Sequence, residues 1–247
     1  AFDVVAYQKL ALQAIADIHA RGRIPVLTGG TGFYIQSVLR NIDFTECGED
    51  RTYREELSRL AETEGAEALH ARLRQADPRA AQEIHPHNLK RVIRALEYYH
   101  LTGEQISEHN RREQQKASAW QEAFYVLTCP RPLLYERIDR RVDQMIAGGL
   151  EDEVLALRSR GLTADLVSMQ GLGYRQLMDC FDGRISRGEA IERIKAETRH
   201  YAKRQLTWFK REKSAVWLDK SQFASEDELL GFLLADLKSR GITENRR

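Results

Sequence analysis

A chain of 247 residues that is 42% hydrophobic and 30% charged has ordinary globular composition and enough length for one core domain and a smaller second one. It contains no apolar run of about eighteen residues, so no helix of it spans a membrane, and it does not open on a charged, then apolar, secretory leader. The formal net charge of +1 is uninformative by itself, but bases cluster in Lys90–Arg94, Arg137–Arg141 and Arg193–Lys213 while acids dominate Asp43–Glu64; such clusters suit a local anionic partner or a solvated helix face.

In chain order, Val4, Tyr7, Ala11, Ala14, Ile15 and Ile18 recur at helical spacing, which predicts an amphipathic helix from Val4 to Ala20 with Asp3 as its N-cap. The apolar run Ile24–Thr28 reads as a short buried parallel strand. It leads directly into Gly29-Gly30-Thr31-Gly32 and a helix over Phe33–Leu39. Helix, strand, glycine turn and helix together form half of a doubly wound α/β unit. From Asn41 to Ala117 the chain is charged, with helical periodicity and no convincing strand. Asp77-Pro78 and His85-Pro86 mark the breaks between its helices. A strand at Ala123–Thr128 and a helix from Pro132 to Ile146 follow. Helices at Glu151–Arg160 and Arg187–Lys210, a strand at Val216–Leu218 and a closing helix at Glu226–Leu237 complete the chain. The division expected is 1–41 as the first part of an α/β core, 42–118 as a helical insertion, and 119–247 as the second part of the core.

Five stretches carry chemistry. Gly29-Gly30-Thr31-Gly32 lies where a strand yields to a helix, the place where backbone N–H groups hold an anion; a tight turn needs glycine there too. Arg137 and Arg141 are four apart on one helix face and can aim at one polyanion, unless Asp139 and Asp143 engage this helix's arginines in surface ion pairs. Lys90, Arg91 and Arg94 face outward from a helix with an apolar stripe, as phosphate contacts do. Gln170, Gly171, Gly173, Tyr174 and Arg175 combine an amide edge, close backbone approach, a ring and a cation, the parts that read an unpaired RNA loop. Thr198, Arg199, Lys203, Arg204 and Gln205 interleave polar and basic groups with aromatics. Trp208 and Phe209 read as core, and the bases read as phosphate ligands. His85 and His87 lack a third ligand and read as a helix-entry turn. Cys47, Cys129 and Cys180 are dispersed and odd in number, as reduced thiols are.

Taken in order, G-G-T-G-x-Y, D-P-x-A-A-x-x-I-H-P, R-x-x-R-A-L-E, G-L-x-x-E-V, Q-G-L-G-Y-R-Q and R-x-x-A-K-R-Q-x-T-W-F resemble the tRNA dimethylallyltransferase family, bacterial type, over nearly the whole chain to about Leu218. The resemblance implies a nucleotide-binding, P-loop-kinase-like α/β core of the ATP-binding type with an all-helical insertion. It also implies transfer of a dimethylallyl group from dimethylallyl diphosphate to the exocyclic amine of the adenosine 3′ of the tRNA anticodon, with that base flipped from its stack. By this resemblance Thr31 and Arg141 are catalytic, Thr31 at the reaction centre and Arg141 against the leaving diphosphate. Gly29, Gly30, Thr31, Arg137 and Arg141 bind diphosphate. Arg54, Lys90, Arg91 and Arg94 grip the tRNA anticodon stem-loop from the insertion; Gln170–Arg175 and Thr198–Gln205 grip it from the core. The family's G-x-T-x-x-G-K-[ST] loop and D-S-x-Q-x-Y motif are expected upstream of Ala1, so Mg2+ ligands and the general-base aspartate lie there and this chain alone is expected to be inactive. A monomeric cytoplasmic protein without a membrane partner is expected. Two alternatives stand beside this reading: an adenylate isopentenyltransferase, which needs neither a helical insertion nor a basic helix, and a tRNA-binding fragment without catalysis.

Overall fold

The computed structural model describes residues 2–44 and 50–242; Cys47, expected as a reduced thiol, falls outside them. The described chain is helix-rich α/β with one small parallel sheet. Its elements are α1 (Val4–Ala20), α2 (Gly32–Leu39), α3 (Arg51–Thr63), α4 (Ala66–Ala76), α5 (Pro78–Glu83), α6 (Leu89–Thr102), α7 (Ile106–Gln115), β1 (Tyr125–Thr128), α8 (Arg131–Ala147), α9 (Leu150–Ser159), α10 (Tyr174–Phe181), α11 (Arg187–Phe209), β2 (Val216–Asp219) and α12 (Glu226–Ser239). They form two compact units, one of 1–27 with 33–121 and the other of 28–32 with 122–247.

In the first unit, α1 starts where Asp3 accepts the Ala6 amide hydrogen at 2.9 Å, the N-cap its sequence predicts. The Gln8 side-chain amide donates to the carbonyls of Ser37 and Ile42, both at 2.8 Å, and Tyr7 stacks on Tyr34 with ring centroids 4.6 Å apart. The helices from α3 to α6 enclose Leu57, Leu69, Leu73, Val92 and Leu96. These apolar residues recur three and four apart, so each helix turns one stripe inward. Asp77 ties this core together. It is fully buried, caps α5 through the Ala80 N–H at 2.9 Å, and accepts from both the N–H and the hydroxyl of Ser107 at 2.9 and 2.7 Å.

In the second unit, β1 and β2 pair in parallel with Val126 opposite Trp217. A parallel pair needs a long crossover, and here α8 to α11 supply it. Val142 of α8, Val154 of α9, Leu177 and Met178 of α10 and Ile194 of α11 form its core. The helices expected at 132–146, 151–160, 187–210 and 226–237 each form within two residues of those limits. The segment 24–28 does not form the expected strand: it enters no ladder among the described residues, and Ile24, Val26 and Leu27 are 45%, 79% and 38% exposed. An apolar run makes a strand only when another strand takes its N–H and C=O groups. Helix α10 was not foreseen either, because its glycine-rich approach reads as a loop.

Replacing Asp77 with Ala removes a cap and leaves Ser107 donors unsatisfied in the core. The expected loss is roughly 2–4 kcal/mol of stability, read as a lowered urea midpoint; a loss below about 0.5 kcal/mol contradicts the role given to Asp77.

Candidate functional site

The second unit builds its site on α8 and α11, which pack side by side. Ile194 of α11 meets Val142 of α8 in the core, and two ion pairs flank that contact. Lys195 reaches Asp143 at 2.8 Å, and Arg199 reaches Asp139 while its guanidinium lies 6.0 Å from the Tyr135 ring centroid. Acids four apart on α8 therefore meet bases four apart on α11 in antiparallel register. The sequence left open whether Asp139 and Asp143 pair within their own helix. Both go to α11. Among the described residues, no carboxylate pairs with Arg137 or Arg141.

Those two arginines border a groove of about 320 Å³ whose walls include Val142, Met145, Leu172, Ile194 and Thr198. Leu172, on the loop before α10, lies within the Q-G-L-G-Y-R-Q stretch singled out from sequence, but was not named there as a groove residue. The Arg140 guanidinium, by contrast, pairs with Glu136 on the exposed face of α8 at 2.5 Å.

Seven residues further along α11, about 10 Å at the helical rise, Gln205 donates its side-chain amide to the Gly30 carbonyl at 2.9 Å. The glycine turn lies directly against this helix. A Cβ on Gly30 would come 2.0 Å from the Gln205 amide nitrogen, and one on Gly32 would come 2.1 Å from Cε3 of the Trp208 ring. A glutamine tip swings aside; a half-buried indole does not. The glycines at 30 and 32 thus answer to close packing, and Thr31 is left exposed between them, just before α2. On the same stretch of α11, His200, Lys203, Arg204, Thr207 and Trp208, with Arg211 just past its end, line a second cleft of about 450 Å³. Of these, His200 and Thr207 lie in the stretch singled out from sequence without a role of their own, and Arg211 lies beyond it, within the basic cluster of Arg193–Lys213. Arg204 lies 5.7 Å from the centroid of Tyr201, and Phe209 is buried.

The loop before α10 has its own logic. Gly173 takes φ +95°, a left-handed conformation that favours glycine, and its N–H donates to Oε1 of Gln176 at 2.9 Å. The Gln170 side chain donates to the Asp165 carbonyl at 3.4 Å, Gly171 has ordinary geometry, Tyr174 bonds to Glu153 and Arg175 pairs with Glu197 at 2.6 Å. The Tyr174 hydrogen bond to Glu153, helped by partial burial, raises its phenol pKa.

The first unit carries the other candidates on α3 and α6. Lys90 and Arg91 occupy the exposed first turn of α6, where no acid offsets them. Cations there oppose the helix dipole, a cost that anion binding would offset. Arg54 and Arg94 differ, because both contact the buried carboxylate of Glu97. Burial pushes the Glu97 carboxyl upward, but hydrogen bonds from the two guanidinium groups outweigh it and hold the pKa below the usual range. Beside them Tyr53 stacks on His100, centroids 4.0 Å apart. Among the described residues, no group of three His, Cys, Asp or Glu side chains is arranged to hold a metal ion, and no helix is long and apolar enough to cross a membrane.

Fold and site together define a helix-rich α/β protein that presents unpaired guanidinium groups beside an apolar groove and a basic helix beside a glycine turn. A family model described as IPP transferase matches residues 1–212, and the chain belongs to that family. It is 49% identical over 241 residues to the tRNA dimethylallyltransferase of Lachnoclostridium phytofermentans, covering 98% of this chain and 77% of that protein. To the enzyme of the same name from Geobacillus thermodenitrificans it is 50% identical over 218 residues, covering 88% and 69%. Among solved structures, the full-length tRNA isopentenylpyrophosphate transferase of Bacillus halodurans superposes with a TM-score of 0.67 at 38% identity, covering 98% of this chain and 76% of that one. A eukaryotic dimethylallyltransferase described as acting on tRNA gives a TM-score of 0.79 at 25% identity, covering 100% and 64%.

Gly32→Ala is expected to cost about 1–3 kcal/mol, because a ring must move. Combining it with Trp208→Ala should restore part of that loss beyond additivity, read by thermal unfolding of the two single variants and the double. Strict additivity would mean that the contact is unimportant.

Proposed function

We propose that this protein transfers a dimethylallyl group from dimethylallyl diphosphate to the exocyclic amine of the adenosine 3′ of the tRNA anticodon. The observation that carries the reading is the release of Arg137 and Arg141 from carboxylate pairing beside an apolar groove. A branched five-carbon tail with a diphosphate head is amphiphilic in the same sense. In the transfer, the amine nitrogen bonds to the allylic carbon as the carbon–oxygen bond to diphosphate breaks, and the amine gives up a proton. Negative charge grows on the leaving diphosphate, and Arg141, with Arg137 beside it, would balance that charge. Thr31, exposed at the end of the glycine turn, serves the reaction centre, with Gly29 and Gly30 supplying backbone N–H groups to the diphosphate.

The tRNA anticodon stem-loop is held from both units, by Arg54, Lys90, Arg91 and Arg94 in one and by residues of 170–175 and 198–205 in the other. Within those two runs the structure favours Lys203 and Arg204, whose cations are exposed and have no carboxylate partner among the described residues. Arg175 and Arg199 are already engaged by Glu197 and Asp139 and act first as staples. We read β1, β2 and their helical crossover as part of a P-loop-kinase-like core spanning 1–41 and 119–247, with 42–118 as its helical insertion. The described residues do not offer the carboxylate set that Mg2+ prefers, so no step is assigned to a metal here. The protein works as a cytoplasmic monomer.

The test is the full-length protein incubated with dimethylallyl diphosphate and either unmodified tRNA or AMP, with prenylated nucleoside read by mass spectrometry. Product on tRNA is expected; product on AMP alone would replace this reading with the free-nucleotide one. Arg141→Ala should lower turnover by about 100-fold or more with tRNA affinity changed less than threefold, and equal loss of both would remove its leaving-group role. Arg204→Ala should weaken tRNA binding and reduce the slope of log K against log salt by about 1; an unchanged slope would mean that it touches no phosphate.

A further inference from the structure

Glu97 is fully buried on α6 in a helix whose neighbouring face is basic. Its Oε1 lies 2.7 Å from Nε of Arg54 in an ion pair and accepts from the Asp50 N–H at 3.2 Å. Its Oε2 accepts from Nη2 of Arg54 and Nη1 of Arg94, both at 2.9 Å. Three donors from α3, its N-cap and α6, with the second nitrogen of Arg54 at ion-pair distance, thus surround one carboxylate. The Arg54 guanidinium meets both carboxylate oxygens, one by a hydrogen bond and one at ion-pair distance, which restricts its orientation as well as its position. The two guanidinium-bearing side chains remain 34% and 43% exposed.

Stability alone is a weak reason for such a cluster, because a buried ion pair is often matched or bettered by apolar residues of similar volume. We infer that Glu97 is a positioning residue for RNA binding: it holds Arg54 and Arg94 as a fixed pair of guanidinium groups facing the phosphates of the tRNA backbone. The inference rests on the reading that this face of the helical unit meets tRNA. Its physical basis is conformational entropy. A long arginine side chain loses rotamer freedom when it docks on a phosphate, and one already locked by a carboxylate loses less.

Positioning and charge make opposite predictions. Glu97→Gln removes a negative charge from beneath the surface, so by charge alone tRNA should bind more tightly. If Glu97 positions the arginines, binding should weaken. The experiment uses the full-length protein and an unmodified tRNA transcript, with Kd measured by filter binding at fixed salt. Glu97→Gln is expected to raise Kd roughly 5- to 10-fold, the consequence of releasing two rotamer-rich side chains. The same substitution made on an Arg54→Ala, Arg94→Ala background should cause no further change. A Kd unchanged or lowered by Glu97→Gln overturns the proposal. So does an equal weakening on the double-alanine background, which would assign Glu97 to the fold and not to the arginines. If the double-alanine protein itself binds tRNA with unaltered Kd, the face does not meet tRNA, and the underlying reading fails separately. Melting temperatures are followed in parallel; should Glu97→Gln unfold the unit, Glu97→Asp, which keeps the charge and shortens the arm by one methylene, is expected to weaken binding in the same direction.

Discussion

The second unit depends on the antiparallel seam between α8 and α11. Its apolar centre is the Val142–Ile194 contact, and its flanks are the pairs Asp143–Lys195 and Asp139–Arg199. Half-exposed pairs of this kind add little stability one at a time, yet together they select one register, because a shift by a turn would leave one base or one acid without a partner. That register decides the chemistry. It turns Asp139 and Asp143 of α8 toward α11 and leaves Arg137 and Arg141 beside the groove. It also sets Gln205 and Trp208 against the glycine turn. One packing choice therefore prepares two places on the same helix.

The first unit follows another rule. Its elements are joined by buried carboxylates that each accept three hydrogen bonds. Asp77 joins the cap of α5 to the start of α7, and Glu97 joins α3 to α6. A buried acid held by several donors of fixed geometry tolerates few alternative arrangements. In a helical unit of this size, such connections orient helices that hydrophobic packing alone would let slide. Glu97 differs from Asp77 in that two of its partners are surface arginines. The same contact that orients α3 and α6 also sets the direction of positive charge outside the unit.

Much of this was legible in the residues. Helix α1 begins at its capping aspartate and ends within a residue of Arg21-Gly22, because apolar period and cap chemistry act locally. The breaks at Asp77-Pro78 and His85-Pro86 are equally local, since proline denies its neighbour the helical backbone. The strand expected at 24–28 was not legible, because strands exist by pairing and the partner's position is a property of the whole fold. Nor could charge spacing on α8 tell whether Asp139 and Asp143 would neutralise neighbours of their own helix. That depended on which face α11 presents. The glycine turn shows the same division: its location was evident, while the indole that crowds Gly32 and the amide that bonds to Gly30 come from the far end of α11, 175 residues away in sequence for the Gly30–Gln205 bond.

The sequence by itself determined most of the helices (not α10), the breaks, the basic stretches and, through several motifs in fixed order, the family to which they belong. All of these rest on interactions within a few residues or on pattern along the chain. The tertiary structure alone decided which cations are already engaged and which remain available to a ligand. Arg175 and Arg199 look in sequence like Arg137 and Arg141, and only the fold gives the first two a carboxylate partner and withholds one from the others. The reason is physical: the charge on an arginine is fixed by its chemistry, but its availability depends on the distance to the nearest acid, and that distance is set by packing.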